Sequence, residues 1–203
     1  MESKKWMIER VEKAAEGYTL SIENILQGGL NYFRRAPAAF ILYSLLVALC
    51  YSNPISGILL GGPALAGYFL VCRQMDRNIS LNMGDFLKGM EHFGPLLVLY
   101  LMISVLVLLG LGLLVIPGVY LALSFSFAIF FIIFSPCSPG EALRLSHKLV
   151  SANLFNILLL FLVLAGINLL GFLLLGVGLF ISMPLSACTL YAAFNDIIGS
   201  SET

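Results

Sequence analysis

The sequence predicts an all-α fold: a polytopic membrane helical bundle of six transmembrane helices in three pseudo-repeated hairpins, each preceded by a short interfacial cytoplasmic helix. The composition, three long stretches without charge and a repeated helix-start pattern lead to this prediction. Hydrophobic side chains make up 60% of the 203 residues and charged ones 11%, whereas a soluble domain is about half apolar and about one quarter charged. A water-soluble domain is therefore excluded. The 11 Lys and Arg balance the 11 Asp and Glu, so no nucleic-acid partner is expected.

Asp, Glu, Lys and Arg are missing from three long stretches, 36–72, 92–140 and 149–195. One helical pass uses about 20 residues to cross a bilayer core of about 30 Å. The two longer stretches would each form about 70 Å of helix, so each is expected to cross twice. The first stretch is shorter, and its two passes are expected to be short, tilted or only partly spanning. The predicted transmembrane helices cover about 37–52, 55–72, 95–115, 118–135, 154–174 and 177–194.

This arrangement places every charged residue on one side of the membrane. The positive-inside rule assigns that side to the cytoplasm, with both termini inside. We therefore expect a multi-pass protein of the bacterial cytoplasmic (inner) membrane. Across the membrane remain three short uncharged turns, at 52–54, 116–118 and 175–178. None is long enough to form an external binding domain.

The segment 1–18 is predicted to be a cytoplasmic amphipathic segment. It lacks the apolar region of a signal peptide. Its Glu9 to Lys13 spacing and the series Trp6, Val11, Ala14 suit a short helix on the membrane surface. A partly frayed polar tail is the alternative.

Three polar segments share one pattern, which begins at Ser21, Asn82 and Ser138. In each, a capping residue is followed three positions later by a polar acceptor and five positions later by Leu. Ser138 with Glu141 forms the clearest capping box, so helices are expected to start at all three places. The chain then divides into the N-terminal segment, three repeats at 19–77, 78–136 and 137–196, and a cytoplasmic tail at 197–203.

A glycine–proline element recurs in the hairpins and contributes Pro63, Pro117 and Pro184. Proline is expected to kink the second helix of each hairpin, and small residues nearby let another helix approach closely. Repeats of this kind occur in transporters, where kinked helices line a site at the membrane midplane. Duplication of a stable hairpin explains them equally well.

The predicted transmembrane segments contain no ionisable Asp, Glu, Lys, Arg or His, which argues against a proton or ion pathway. Asn168 stands out because an amide in hydrocarbon needs a partner, usually on a neighbouring helix. One interpretation is purely structural. The other is that Asn168, Ser124, Ser126 and Ser186 line a cavity that holds a lipid or a small amphiphile.

Glu141, Arg144, His147 and Lys148 follow one another around the helix that starts at Ser138. They are interpreted as a solvated face or a cytoplasmic interaction face, and a lipid-modifying active site is the alternative. No spacing of histidines or cysteines resembles a metal site, and no cofactor, metal or catalytic residue is predicted. The four cysteines are interpreted as small packing residues.

The stretch Ile116 to Tyr120, the aromatic run from Phe125 to Phe134 and the segment Ser138 to Leu149 carry a resemblance. Together with Gly62-Pro63 and Asp85-Phe86, they resemble a broad group of bacterial six-helix integral membrane proteins of unknown function. That group is similar to the membrane domain fused to some glycerophosphodiester phosphodiesterases. The resemblance implies fold and topology, and it carries no activity with it.

Besides the lipid-modifying enzyme, two functional hypotheses follow from the sequence. The favoured one is a non-enzymatic accessory or scaffold subunit that binds membrane lipids, a partner membrane protein or a second copy of itself. The alternative is a transporter or flippase for a small apolar or amphiphilic molecule.

Overall fold

The computed structural model describes residues 2–174 and 176–200, and all regular secondary structure in these ranges is helical. Ten α-helices and one 3₁₀ helix follow one another in this part of the chain. They are α1 (Glu2–Ala15), α2 (Ile22–Arg35), α3 (Pro37–Tyr51), α4 (Pro54–Asp76), the 3₁₀ helix (Met83–His92), α5 (Phe93–Leu113), α6 (Val115–Ser124), α7 (Ala128–Phe134), α8 (Pro139–Ser151), α9 (Leu154–Leu173) and α10 (Leu179–Ser200).

Four helical segments are long and apolar enough to cross a membrane: Ile55–Asp76, Met83–Leu113, Val115–Phe134 and Leu154–Leu173. A fifth is present if α2 and α3, which meet at 93°, form one broken span. The predicted all-helical, multi-pass membrane class is confirmed at this level. Within the first predicted hairpin, α3 has only 15 residues. Polar side chains in α10, including Asn195 and Asp196, lower its apolar character.

Helices begin just after all three predicted capping residues. At α8, the Ser138 hydroxyl accepts a 3.4 Å hydrogen bond from the Glu141 amide, and the Ser138 amide donates to the Glu141 carboxylate at 2.9 Å. At Asn82, the backbone amide donates to Asp85 at 2.8 Å. The helix that starts there is a 3₁₀ helix that runs directly into α5. The helices that begin after Asn82 and Ser138 therefore share a reciprocal cap, but the first is a 3₁₀ helix and the second is an α-helix.

The helix predicted at 118–135 is broken in two. α6 begins earlier, at Val115, and a turn at 125–127 separates it from α7. Ser146 of α8 bridges the break, since its hydroxyl donates to the Ser124 carbonyl at 2.7 Å and accepts from the Phe127 amide at 3.2 Å. A break inside an apolar span requires such partners, because a free peptide group in hydrocarbon is costly.

The prolines do not play one common role. Pro63 and Pro184 lie inside α4 and α10. Pro117 is the third residue of α6, where the first-turn amides have no intrahelical acceptor and proline costs little. The prediction that all three kink the second helix of a hairpin is wrong for Pro117.

Aromatic side chains form the centre of the bundle. Phe130 of α7 packs 4.3 Å from Phe69 of α4 and 4.5 Å from Phe194 of α10, measured between ring centroids. Tyr43 and Phe86 form a second cluster at 4.5 Å. Phe130 of α7 is thus buried between α4 and α10, two helices that lie far apart in the chain.

The charged residues meet in one layer. Lys4 of α1 binds Glu141 of α8 at 2.7 Å. Asp76, at the end of α4, accepts 2.6 Å hydrogen bonds from the hydroxyls of Tyr32 on α2 and Tyr191 on α10. We call this layer the charged end of the bundle, and the opposite end, with the turns after α3, α5 and α9, the uncharged end.

The N-terminal segment folds as α1 and packs on α8 and α10. Met7, Val11 and Ala14 are buried. Trp6, which the sequence suggested for the apolar face, is 46% exposed. The segment is helical, with Val11 and Ala14 on the buried face as predicted and Met7 in the place expected for Trp6.

A cavity between the helices as candidate functional site

A cavity of about 540 Å³ lies between the helices of the bundle and is open on one side, where Met183 on its wall is 49% exposed. Its walls come from both ends of the chain, because α3, α4, α5, α6, α9 and α10 all contribute lining residues. Cavities of about 300–1,000 Å³ are the size that holds small organic ligands. The volume is therefore large enough for a molecule rather than for a few waters.

The cavity occupies the middle of the helices. Its lining residues run from Leu96 to Ile103 on α5, from Phe161 to Asn168 on α9 and from Met183 to Leu190 on α10. The first and last residues of each run are seven positions apart, which corresponds to about 10 Å along a helix. Phe69 marks the half toward the charged end, and Tyr51 marks the half toward the uncharged end. Tyr68 places a hydroxyl in the first half, and Tyr51, Asn168 and Ser186 place polar groups in the second.

Asn168 is held by a complete set of hydrogen bonds. Its amide nitrogen donates to the Leu164 carbonyl at 2.9 Å and to the Ser186 hydroxyl at 2.8 Å. Its oxygen accepts from the Ser182 hydroxyl at 2.9 Å. Both amide protons are therefore used, and the group joins α9 to α10. Asn168 and Ser186 also line the cavity, so the structural and the cavity interpretations describe the same side chains.

The other predicted cavity residues lie in different places. Ser126 lines the cavity, and its hydroxyl has no hydrogen-bond partner in the described part of the chain. Ser124 is fully buried beside the α6–α7 break and is not among the lining residues. Pro63 lines a separate space of about 50 Å³. Pro117 and Pro184 line neither space.

Two tyrosines on the cavity wall were not singled out from the sequence. The hydroxyls of Tyr51, the last residue of α3, and Tyr100 of α5 lie 3.2 Å apart. A tyrosine within an apolar run is commonly an interface or packing residue, so the sequence provided no signal that these two would meet. Ser182, the third partner of Asn168, could have been found because it lies four residues before Ser186 on one helical face.

Among the described residues, none that lines the cavity is Asp, Glu, Lys, Arg or His. Within residues 2–174 and 176–200, no group of three or more His, Cys, Asp or Glu is arranged to hold a metal ion. The chemistry that this wall offers is hydrogen bonding by neutral hydroxyls and an amide, together with contact to aliphatic and aromatic surface.

The four residues of the predicted cytoplasmic face do not converge on one point. Glu141 binds Lys4 of α1 and caps its own helix, and Lys148 lies 3.7 Å from Glu12 of α1. His147 contacts the edge of the Tyr120 ring, and Arg144 is exposed. The hydrogen bonds from Lys4 and Ser138 lower the pKa of Glu141 to about 2. Two of the four side chains therefore fasten α1 to α8.

Comparisons with known protein families, with curated proteins and with solved structures found no match to this chain. The resemblance to the six-helix bacterial group stays a prediction.

Proposed function

We propose that this chain is a non-enzymatic, lipid-binding accessory protein of a membrane. The cavity of about 540 Å³ is the observation that supports this proposal. All four helical segments that are long and apolar enough to cross a bilayer contribute to its wall, and this wall combines a mostly apolar surface with a few neutral polar groups. Such a wall suits an amphiphilic lipid.

The exposed apolar surface of the bundle favours a membrane environment and leaves area for contact with partner proteins. Ile116 at one hairpin tip is 82% exposed, and Phe155 of α9 is 73% exposed. Contiguous apolar surface of this kind contacts lipid or another membrane protein. A partner membrane protein or a second copy of the chain fits this surface, and a scaffold role follows from it.

The proposal includes six passes, three hairpin repeats and a bacterial inner-membrane location with both termini cytoplasmic. α3 and α4 pack together, as do α9 and α10, so each pair can form a hairpin. The charged layer at one end agrees with a single cytoplasmic side under the positive-inside rule. Under this topology α3 is a short pass, and α10 is a pass whose last turns reach the cytoplasm.

A retention experiment tests lipid binding. Ala122 is an exposed residue on the cavity wall, whereas Ala165 is an exposed residue of α9 outside it. Ala122→Trp should fill part of the cavity and reduce the lipid that remains bound after gentle extraction, as measured by native mass spectrometry. Ala165→Trp is the matched control and should retain lipid as the unmodified chain does.

Equal retention by both variants, or no bound lipid in any of the three proteins, would contradict lipid binding in this cavity. A partner protein that copurifies while no lipid does would favour the scaffold role alone.

Transport of a small amphiphile is the second candidate, and the break between α6 and α7 favours it. Interrupted helices in transporters border their substrate sites, and Ala122, Phe125, Ser126 and Ile129 beside this break line the cavity. Flux of a labelled lipid across liposomes above the level of empty vesicles would support transport. Binding without flux would favour the accessory role.

A further inference from the structure

We infer that the cavity selects an uncharged lipid that carries an oxygen acceptor, such as an alcohol or an ester, over a charged lipid and over a plain hydrocarbon. This inference deepens the proposed function and rests on it. It names the ligand class, and three observations on the cavity wall carry it.

The first observation is an unused proton at the tyrosine pair. Tyr51 and Tyr100 each carry one hydroxyl proton, and one hydrogen bond of 3.2 Å between them uses only one of the two. Within the described residues, neither hydroxyl has another partner. The pair therefore offers one donor to an acceptor oxygen in the cavity.

The second observation is the position of this pair. Gly57 and Gly61 face the Tyr51 side chain, and a Cβ atom at Gly61 would lie 2.6 Å from the Tyr51 hydroxyl. A larger residue at Gly61 would displace the phenol. The Tyr51 ring thus packs against two glycines of α4, and this contact holds its hydroxyl beside Tyr100.

The third observation is the distribution of polarity. The half of the cavity toward the charged end presents Phe69, Phe161 and Leu190 together with Tyr68, whose hydroxyl is already hydrogen-bonded to Ser44 at 2.9 Å. Tyr51 and Asn168 lie in the opposite half. Asn168 already uses both amide protons, so it offers no free donor. The Ser126 hydroxyl lacks a partner in the described part of the chain, but its oxygen is buried and is not open to the cavity.

These features exclude a charged head group from the best-fitting ligands. A carboxylate or phosphate taken from water into this space would find no cation among the lining residues, and an unpaired buried charge is strongly disfavoured. A hydrocarbon would leave the spare tyrosine donor unpaired, which also costs free energy. An alcohol or ester satisfies this donor without a charge.

Three probes with hydrocarbon chains of the same length and different end groups test the ligand class directly. The full-length protein is placed in phosphatidylcholine nanodiscs with 1-dodecanol, dodecanoate or 1-dodecene at one mole fraction, and native mass spectrometry measures the bound fraction. We expect dodecanol to bind about two- to tenfold more tightly than dodecene, the effect of one hydrogen bond. Dodecanoate should bind least.

Tyrosine variants test the source of the preference. The double variant Tyr51→Phe/Tyr100→Phe should bind dodecanol no better than dodecene. Each single variant should keep the preference, because the remaining phenol still has a proton to donate. Tyr120→Phe is the matched control, since the Tyr120 hydroxyl lies 3.4 Å from Ser151 of α8 and Tyr120 does not line the cavity.

Equal binding of dodecanoate and dodecanol, or no preference for dodecanol over dodecene, would overturn the inference even if the double variant fails to fold. A preference that survives in a folded double variant would overturn the role of the tyrosines. If phospholipid is retained in a cavity-dependent manner while the three probes bind alike, the proposed function stands and this inference falls. If neither phospholipid nor any probe is retained, both fall.

Discussion

Glu141 shows how much a single side chain does at the charged end. Its carboxylate accepts from the Ser138 hydroxyl and amide at 2.9 Å, and it also binds Lys4 across the α1–α8 contact. The sequence predicted the cap, because its two partners are three residues apart. Lys4 lies 137 residues away in the chain, so no local pattern could predict it.

The pH dependence of α1 docking follows from this carboxylate. The pKa of Glu141 is lowered from 4.5 to about 2 by Lys4 and Ser138. A carboxylate with a depressed pKa stabilises the folded state above its unfolded pKa, and this contribution is lost as pH falls from about 4.5 toward 2. The emission of Trp6, the only tryptophan of the chain, should report a change in α1 within that window.

Glu141→Gln is the control for this titration, because it removes the titrating group and keeps the shape of the side chain. Its Trp6 emission should lose the change seen between pH 4.5 and 2. Identical acid titrations for the two proteins would mean that Glu141 does not control the docking of α1.

Asn168 illustrates a second lesson at the residue scale. An amide inside an apolar segment predicts a partner on a neighbouring helix, and the structure supplies Ser182 and Ser186. The same physical requirement that makes the residue noticeable in the sequence also consumes its hydrogen-bonding capacity. The free donor lies instead at the pair Tyr51 and Tyr100, and no pattern in the sequence ranks these two above other polar residues.

Helix α2 depends on a close backbone approach to α10. A Cβ atom at Gly29 would lie 2.6 Å from the Thr189 Cα atom and 2.7 Å from its amide nitrogen. Backbone atoms cannot move aside as a flexible side chain can. The contact joins the first and last thirds of the chain and keeps α2 across the end of the bundle.

Gly29→Ala should therefore destabilise the protein by about 1–3 kcal/mol, the usual cost of overpacking. The midpoint of thermal unfolding in detergent measures the effect. Gly166→Ala is the matched control, because nothing lies within 4 Å of a Cβ atom at this α9 position. The control should be neutral or stabilising, since alanine is the better helix former; a Gly29→Ala midpoint that equals the control would contradict the close approach.

The break between α6 and α7 shows the limit of prediction at the scale of elements. The residues 118–135 are mostly apolar, carry no charge and contain no glycine or proline after Gly118, so they predict one continuous helix. The break is stabilised by the Ser146 hydroxyl of α8. Helix continuity here depends on a partner from another element.

At the scale of the whole molecule, the six-pass proposal predicts that the two termini and all charged connections lie on one side. Topology reporters fused at either terminus, or inserted near Ser80 or Pro136 between hairpins, should all report the cytoplasm. Reporters inserted at Asn53 or Gly176 should report the opposite side. An odd number of crossings would place the termini on opposite sides and contradict the six-pass proposal.

The sequence by itself determined that the chain has a membrane environment, that its fold is helical and where helices begin at the ends of its polar segments. These properties are local: charge-free stretches set helix length, and caps such as Ser138 with Glu141 set helix starts. The tertiary structure decided which side chains meet, because helices distant in sequence form the walls of the cavity. Tyr51 and Tyr100 are ordinary residues in their own helices, and they become a shared hydrogen-bonding site only through the packing of α3 against α4 and of α4 against α5.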